Sequence, residues 1–223
     1  MSASQKNDKS KVLTLTGISV MILMILTRFV PGLDVAKYSM FVGLAFFFIV
    51  EAAAKTPDAE SGLRFRTFFS DLKKPGALIF MLLPVVTSIA SIILGNMLFG
   101  SGYVDHVFGR TEDVLDYGNI ALLAGEFLVA ALGEEIAFRG FFTGKGMDIF
   151  PYPLCMILSS AFFALAHFSA GDTRVVVYDL AGIFIDALIY SAAFKKTGNC
   201  LVSTAAHFLC NMSGIIYIML TMK

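Results

Sequence analysis

The stretch GEEIAFRGFF, residues 133–142, sets two adjacent carboxylates and a guanidinium inside an apolar run. Whether these charges stand in water or in a bilayer decides the fold, and composition answers that. Of 223 residues, 57% are hydrophobic and only 15% charged. A soluble domain is nearer about 25% charged. The mean hydropathy is +0.77, with 22 Phe, 11 Met and no Trp. The reading is an all-α integral membrane protein, a polytopic transmembrane helical bundle forming one domain over 1–223. A formal net charge of zero gives no electrostatic footprint for nucleic acid.

A spanning helix needs about 20 mostly apolar residues. Seven segments qualify: roughly 13–30, 39–54, 76–99, 119–139, 152–169, 176–194 and 200–221. The first follows Lys6, Lys9 and Lys11 and lacks a small-x-small cleavage site, so it reads as an uncleaved anchor. Between the second and third lies KTPDAESGLRFRTFFSDLKKPG, where Leu63, Phe65, Phe68, Phe69 and Leu72 recur at near-helical spacing beside basic residues. That pattern predicts a short helix on the cytoplasmic membrane surface. SGYVDHVFGRTEDVLDYG, with Asp105, Glu112, Asp113 and Asp116, reads as an external loop.

With the N-terminus inside, eleven basic residues fall on the inner side: Lys6, Lys9, Lys11, Lys55, Arg64, Arg66, Lys73, Lys74, Lys145, Lys195 and Lys196. Only Lys37, Arg110, Arg174 and Lys223 fall outside. The positive-inside rule therefore predicts a cytoplasmic N-terminus in the plasma membrane. Cys155, Cys200 and Cys210 have neither zinc-type nor CxxC spacing and read as small buried hydrophobes.

Ionisable groups inside a bilayer are costly, so each is a functional candidate. Arg28 lies close enough to a helix end to snorkel. Glu135 and Arg139 are four apart on one helix face and neutralise each other. Glu134 points about 100° away, without a cation of its own. His167 lies near the end of FFALAHF, and Phe163 stands one turn before it. Pro151 and Pro153 break the helix near DIFPYP, and Glu134 and His167 lie about equally far on either side of that turn. An antiparallel hairpin then brings the two to one depth, about 24 Å from the turn. In HFLCN, His207 and Asn211 share a face and can supply two hydrogen-bond donors. The sequon NMS at 211–213 falls inside an apolar helix and reads as accidental. A free carboxylate, a histidine at matching depth and a donor pair are the parts that general-base attack by water requires. Asp186 is left without a role.

These residues resemble the type II CAAX prenyl endopeptidases, also called the CAAX protease and bacteriocin-processing or Abi family. That family carries EExxxR, FxxxH and HxxxN on successive core helices. Here they read EEIAFR at 134–139, FALAH at 163–167 and HFLCN at 207–211, with KKTGN at 195–199 before the last. The resemblance covers roughly 119–221, the catalytic core helices. It implies an intramembrane glutamate-dependent endopeptidase with seven or eight spans and no cofactor. By motif, Glu134 activates water and His167 helps position it. His207 and Asn211 form an oxyanion hole, and Glu135, Arg139 and Phe163 support the site. The expected partners are the lipid bilayer and a membrane-associated peptide or lipidated protein substrate.

Two other readings use the same residues. Glu134, His167 and His207 are three side chains of zinc-ligand type. A membrane scaffold or bacteriocin-immunity protein would bind a peptide without cutting it. A transporter fits less well, because no repeat or Gly/Pro-broken helix pair marks a midplane site.

Overall fold

The computed structural model describes residues 3–54, 62–111 and 118–221. Lys55, Glu112, Asp113, Asp116 and Lys223, which entered the charge reading above, lie outside the described residues. Helix α1 (Ala3–Leu26) passes through a 3-10 turn, Thr27–Phe29, and a second 3-10 turn, Ala36–Tyr38, leads into α2 (Ser39–Ala54). A 3-10 turn over Phe65–Thr67 then joins the short α3 (Phe68–Leu72), followed by α4 (Ala77–Phe99) and α5 (Ser101–Thr111). Helix α6 (Ile120–Glu135) continues as a π-helix over Ile136–Lys145. The last three are α7 (Tyr152–Ala166), α8 (Thr173–Thr197) and α9 (Cys200–Thr221).

Among the described residues, five segments are long and apolar enough to cross a membrane: Asp8–Phe29, Ala36–Ala54, Ala77–Phe99, Thr173–Thr197 and Cys200–Thr221. The remaining two of the seven expected spans are α6 with its π continuation, and α7. Helix α7 has 15 residues. It therefore extends only about 22 Å, short of about 30 Å of hydrocarbon. His167, its C-cap, consequently stands within membrane depth. The segment expected as an external loop is partly helical, as α5, whose Tyr103 and Val104 are buried.

Local chemistry sets the ends of these helices. The Asn119 side chain accepts from the Ala121 and Leu122 N–H groups, both at 3.1 Å, and so starts α6. Asp172 caps α8 by accepting from the Arg174 N–H at 2.9 Å. Gly198 ends α8 at φ 68°, a left-handed position that a side chain would strain. Asn199 then accepts from the Leu201 N–H at 3.1 Å and begins α9.

The bundle is apolar outside and polar inside. Val12, Leu23, Ile79, Val86, Met97 and Val129 are exposed, while Glu135, Arg139, Thr143, Ser159, Ser191 and His207 are buried. The π-helix lies at the centre, where Phe138, Phe141 and Phe142 pack with Met21, Phe47 and Phe163. Helix α2 runs along it, and α9 packs against both α4 and α6. The approach of α2 is close: a Cβ on Gly43 would stand 2.6 Å from that of Ala137. Small residues at such contacts let membrane helices gain dispersion energy, since lipid offers no hydrophobic drive between them.

Candidate active site

The two glutamates of the opening motif part company as the helical angle requires. Glu135 is fully buried and accepts from Arg139 Nη1 at 2.9 Å. Arg139 also donates from Nη2 to the Ala187 carbonyl at 2.9 Å. Its guanidinium lies between the rings of Phe163, 4.5 Å away, and Tyr190, 5.1 Å away. A charged pair inside a membrane holds only when it is paired and hydrogen-bonded, and cation–π contacts strengthen in a desolvated setting. Glu135 has a second partner, His207, whose Nδ1 is 3.1 Å from the same Oε1.

Glu134 sits on the other side of the turn. Its two oxygens face His167 Nε2 at 3.8 Å and His207 Nε2 at 3.7 Å. Its side chain is 22% exposed and that of His167 27%, whereas Glu135 and Arg139 show none. The open side of the constellation is therefore the Glu134 side.

The ring partners decide the tautomers. His167 Nδ1 lies 2.8 Å from the Phe163 carbonyl, which can only accept, so Nδ1 carries the proton. His207 Nδ1 faces the arginine-paired carboxylate of Glu135 and likewise donates. Both Nε2 atoms thus turn toward Glu134. Separations of 3.7 and 3.8 Å exceed a direct hydrogen bond, so neither ring occupies a Glu134 oxygen.

Aromatic packing holds the rings in these planes. Tyr190 stacks on His207 with centroids 4.7 Å apart and 21° between planes. Phe163 lies 4.5 Å from His167 and meets His207 edge-on at 5.6 Å. Asn211 stands one helical turn beyond His207, half-buried, and its side chain makes no hydrogen bond among the described residues. Its amide remains available to a ligand.

The structure thus brings Glu134, Glu135, Arg139, Phe163, His167 and His207 together, with Asn211 one turn away. Sequence reasoning missed Tyr190, whose signal was a hydroxylated aromatic four residues after Asp186 in an apolar helix. Asp186 acquires partners: Thr87 Oγ1 donates to it at 2.5 Å and Cys210 Sγ at 3.6 Å. Arg28 does more than snorkel. It donates from Nη1 to the Phe168 carbonyl, next to His167, and pairs with Asp34 at 3.6 Å. All three cysteines are free and buried, as expected. Among the described residues, no group of three or more His, Cys, Asp or Glu side chains stands close enough to hold a metal ion.

No curated protein and no solved structure matches the chain. Residues 116–213, which hold every one of the residues from Glu134 to Asn211 just described, match the family model described as Type II CAAX prenyl endopeptidase Rce1-like, the family whose motifs the sequence resembles.

Proposed function

We propose that the protein is an intramembrane endopeptidase in which Glu134 activates water against a peptide bond of a membrane-associated or lipidated substrate. The observation that carries this reading is the placement of Glu134 between two Nε2 atoms, at 3.7 and 3.8 Å, on the open side of the site. Its neighbour Glu135 is occupied by Arg139 and His207. One carboxylate is held, and the other is left to move a proton.

The chemistry follows from those positions. A water between Glu134 and His167 gives its proton to the Glu134 carboxylate as its oxygen attacks the scissile carbonyl carbon. Negative charge then grows on the carbonyl oxygen. The Asn211 amide is a neutral donor for it, and His207 is a second donor in molecules where solvent has already protonated Nε2 as well as the Nδ1 held by Glu135. Collapse breaks the C–N bond, and Glu134 returns the proton to the leaving amine. Each step needs little water, which suits a site walled by Phe138, Phe163 and Tyr190.

No metal ion enters this route, and zinc is the reading to test against it. We place the N-terminus in the cytosol, because the basic residues divide eleven to four on that orientation. The experiment is cleavage of a prenylated CAAX peptide by purified protein in lipid, beside Glu134→Gln, with and without a strong chelator. Cleavage by the wild type in chelator and none by the variant is expected. Cleavage by Glu134→Gln removes it as the base. Loss in chelator with recovery on added zinc establishes the metal reading. No cleavage by wild type, together with complementation of a deletion strain by Glu134→Gln, leaves a binding protein.

A further inference from the structure

The segment between α2 and α4 has two unlike faces. One is turned into the protein: Asp71 is 1% exposed and Leu63 7%, and Gly62 accepts from the Cys200 N–H. The other carries Phe65, 66% exposed, and Phe69, 77% exposed, one helical turn apart. Arg66 and Lys73 are exposed as well, seven residues apart and so on one side of the same turn-and-helix.

Its position in the fold sets what that outer face meets. Helix α2 ends at Ala54 and α4 begins at Ala77, and both are spanning segments. Residues 62–76 therefore lie where hydrocarbon gives way to headgroups. Aromatic rings directed outward at that level sit among the upper acyl chains, and cations beside them meet phosphates.

The charges at this end of the bundle are unequally committed. Arg64 and Lys74 pair with Asp71 at 3.3 and 2.9 Å, and Lys145 pairs with Glu51. Lys195 lies over the Tyr152 ring, 5.0 Å from its centroid. Arg66 and Lys73 make no ion pair or hydrogen bond among the described residues. They are thus two unpaired cations flanking two exposed phenylalanines at the membrane surface.

We infer that Phe65, Arg66, Phe69 and Lys73 form a binding site for an anionic phospholipid, with rings against the acyl chains and both cations on the headgroup phosphate. The site is independent of catalysis and of which leaflet it faces. Because Asn199 and Lys74 tie the same segment to the start of α9, the lipid would bear on the helix that holds His207.

The test needs no substrate. Purified full-length protein in mild detergent is offered equal amounts of phosphatidylglycerol and phosphatidylcholine with identical chains, and retained lipid is read by native mass spectrometry. The wild type should retain the anionic lipid preferentially. Each basic residue near an anionic surface contributes about fivefold in affinity, so Arg66→Gln with Lys73→Gln should cost up to about 25-fold. Phe65→Ser with Phe69→Ser should weaken retention of both lipids. Lys9→Gln with Lys11→Gln, at the same end of the bundle, should leave the preference intact. Equal loss in the two charge variants would mean diffuse attraction, and no preference in the wild type would mean no site. Either result overturns the proposal. Circular dichroism and thermal unfolding of each variant confirm that it is folded.

Discussion

Two carboxylates, one buried and one partly open, invite comparison. Asp71, at the surface end of the bundle, is saturated: it accepts from Thr67, Asn199, Arg64 and Lys74. Glu134, inside the membrane, has among the described residues only two imidazoles at 3.7 and 3.8 Å, too long for direct bonds. A carboxylate whose acceptor sites are filled fastens structure. One whose neighbours stand beyond hydrogen-bond reach can take up a proton. Glu135, beside Glu134 in sequence, is held through one oxygen: Oε1 accepts from Arg139 and His207, while the buried Oε2 has no hydrogen-bond partner among the described residues.

The comparison breaks most visibly at Glu134. Glu134→Gln should lower cleavage by about 10²–10⁴-fold while leaving the thermal midpoint near that of the wild type. A variant that unfolds would put Glu134 with the structural acids.

Arg139→Ala should do the reverse and destabilise first. Removing one partner of a buried pair costs about 3–5 kcal/mol, because the other charge is left without compensation. Glu135→Gln should also destabilise, and the double change should cost less than the two single costs together. A double-mutant cycle in thermal or denaturant unfolding reads this directly, and strict additivity would show that the pair does not couple.

Asn211→Ala should fall between these cases. A lost transition-state donor lowers kcat by about 10²–10³-fold with KM little changed. Unchanged kcat in the folded variant would take Asn211 out of the site.

The smallest effect belongs to Asp71 and depends on pH. Burial pushes its carboxyl up, but hydrogen bonds from Lys74, Asn199 and Thr67 and the Arg64 charge outweigh this and hold it below the usual carboxylate range. A lowered folded value means that its contribution is complete above the unfolded value of about 3.9 and is lost as pH falls through the folded one. Wild-type stability should therefore drop on the acid side below about pH 4, by about 1–3 kcal/mol at most. Asp71→Asn should show a smaller drop over the same range. Parallel acid profiles of thermal midpoint for the two proteins would assign the loss to other groups.

The sequence made the membrane class and the helical architecture legible, and it named the residues that the structure gathers around Glu134. Composition alone separates this chain from soluble domains, since 15% charge cannot solvate a surface of this size. The i, i+4 spacing of Glu135 and Arg139 is a local fact of the helix, so their pairing could be read without a fold. The register of Glu134 with His167 was also legible, because a single proline-broken turn joins their helices. The π-helix that follows Glu135 was not legible, since only the packing of Phe47, Phe138 and Phe163 selects it over the α form.

What only tertiary structure decided lies between helices distant in sequence. Tyr190 covers His207, and the Ala187 carbonyl receives Arg139, because α8 passes between α7 and α9. Asn199 reaches Asp71 across 128 positions of chain. Periodicity places a residue on a face of its own helix, but the face it meets depends on how several helices cross. Crossing is set by close packing of small and aromatic residues, each worth little alone, and their sum exists only in the folded bundle.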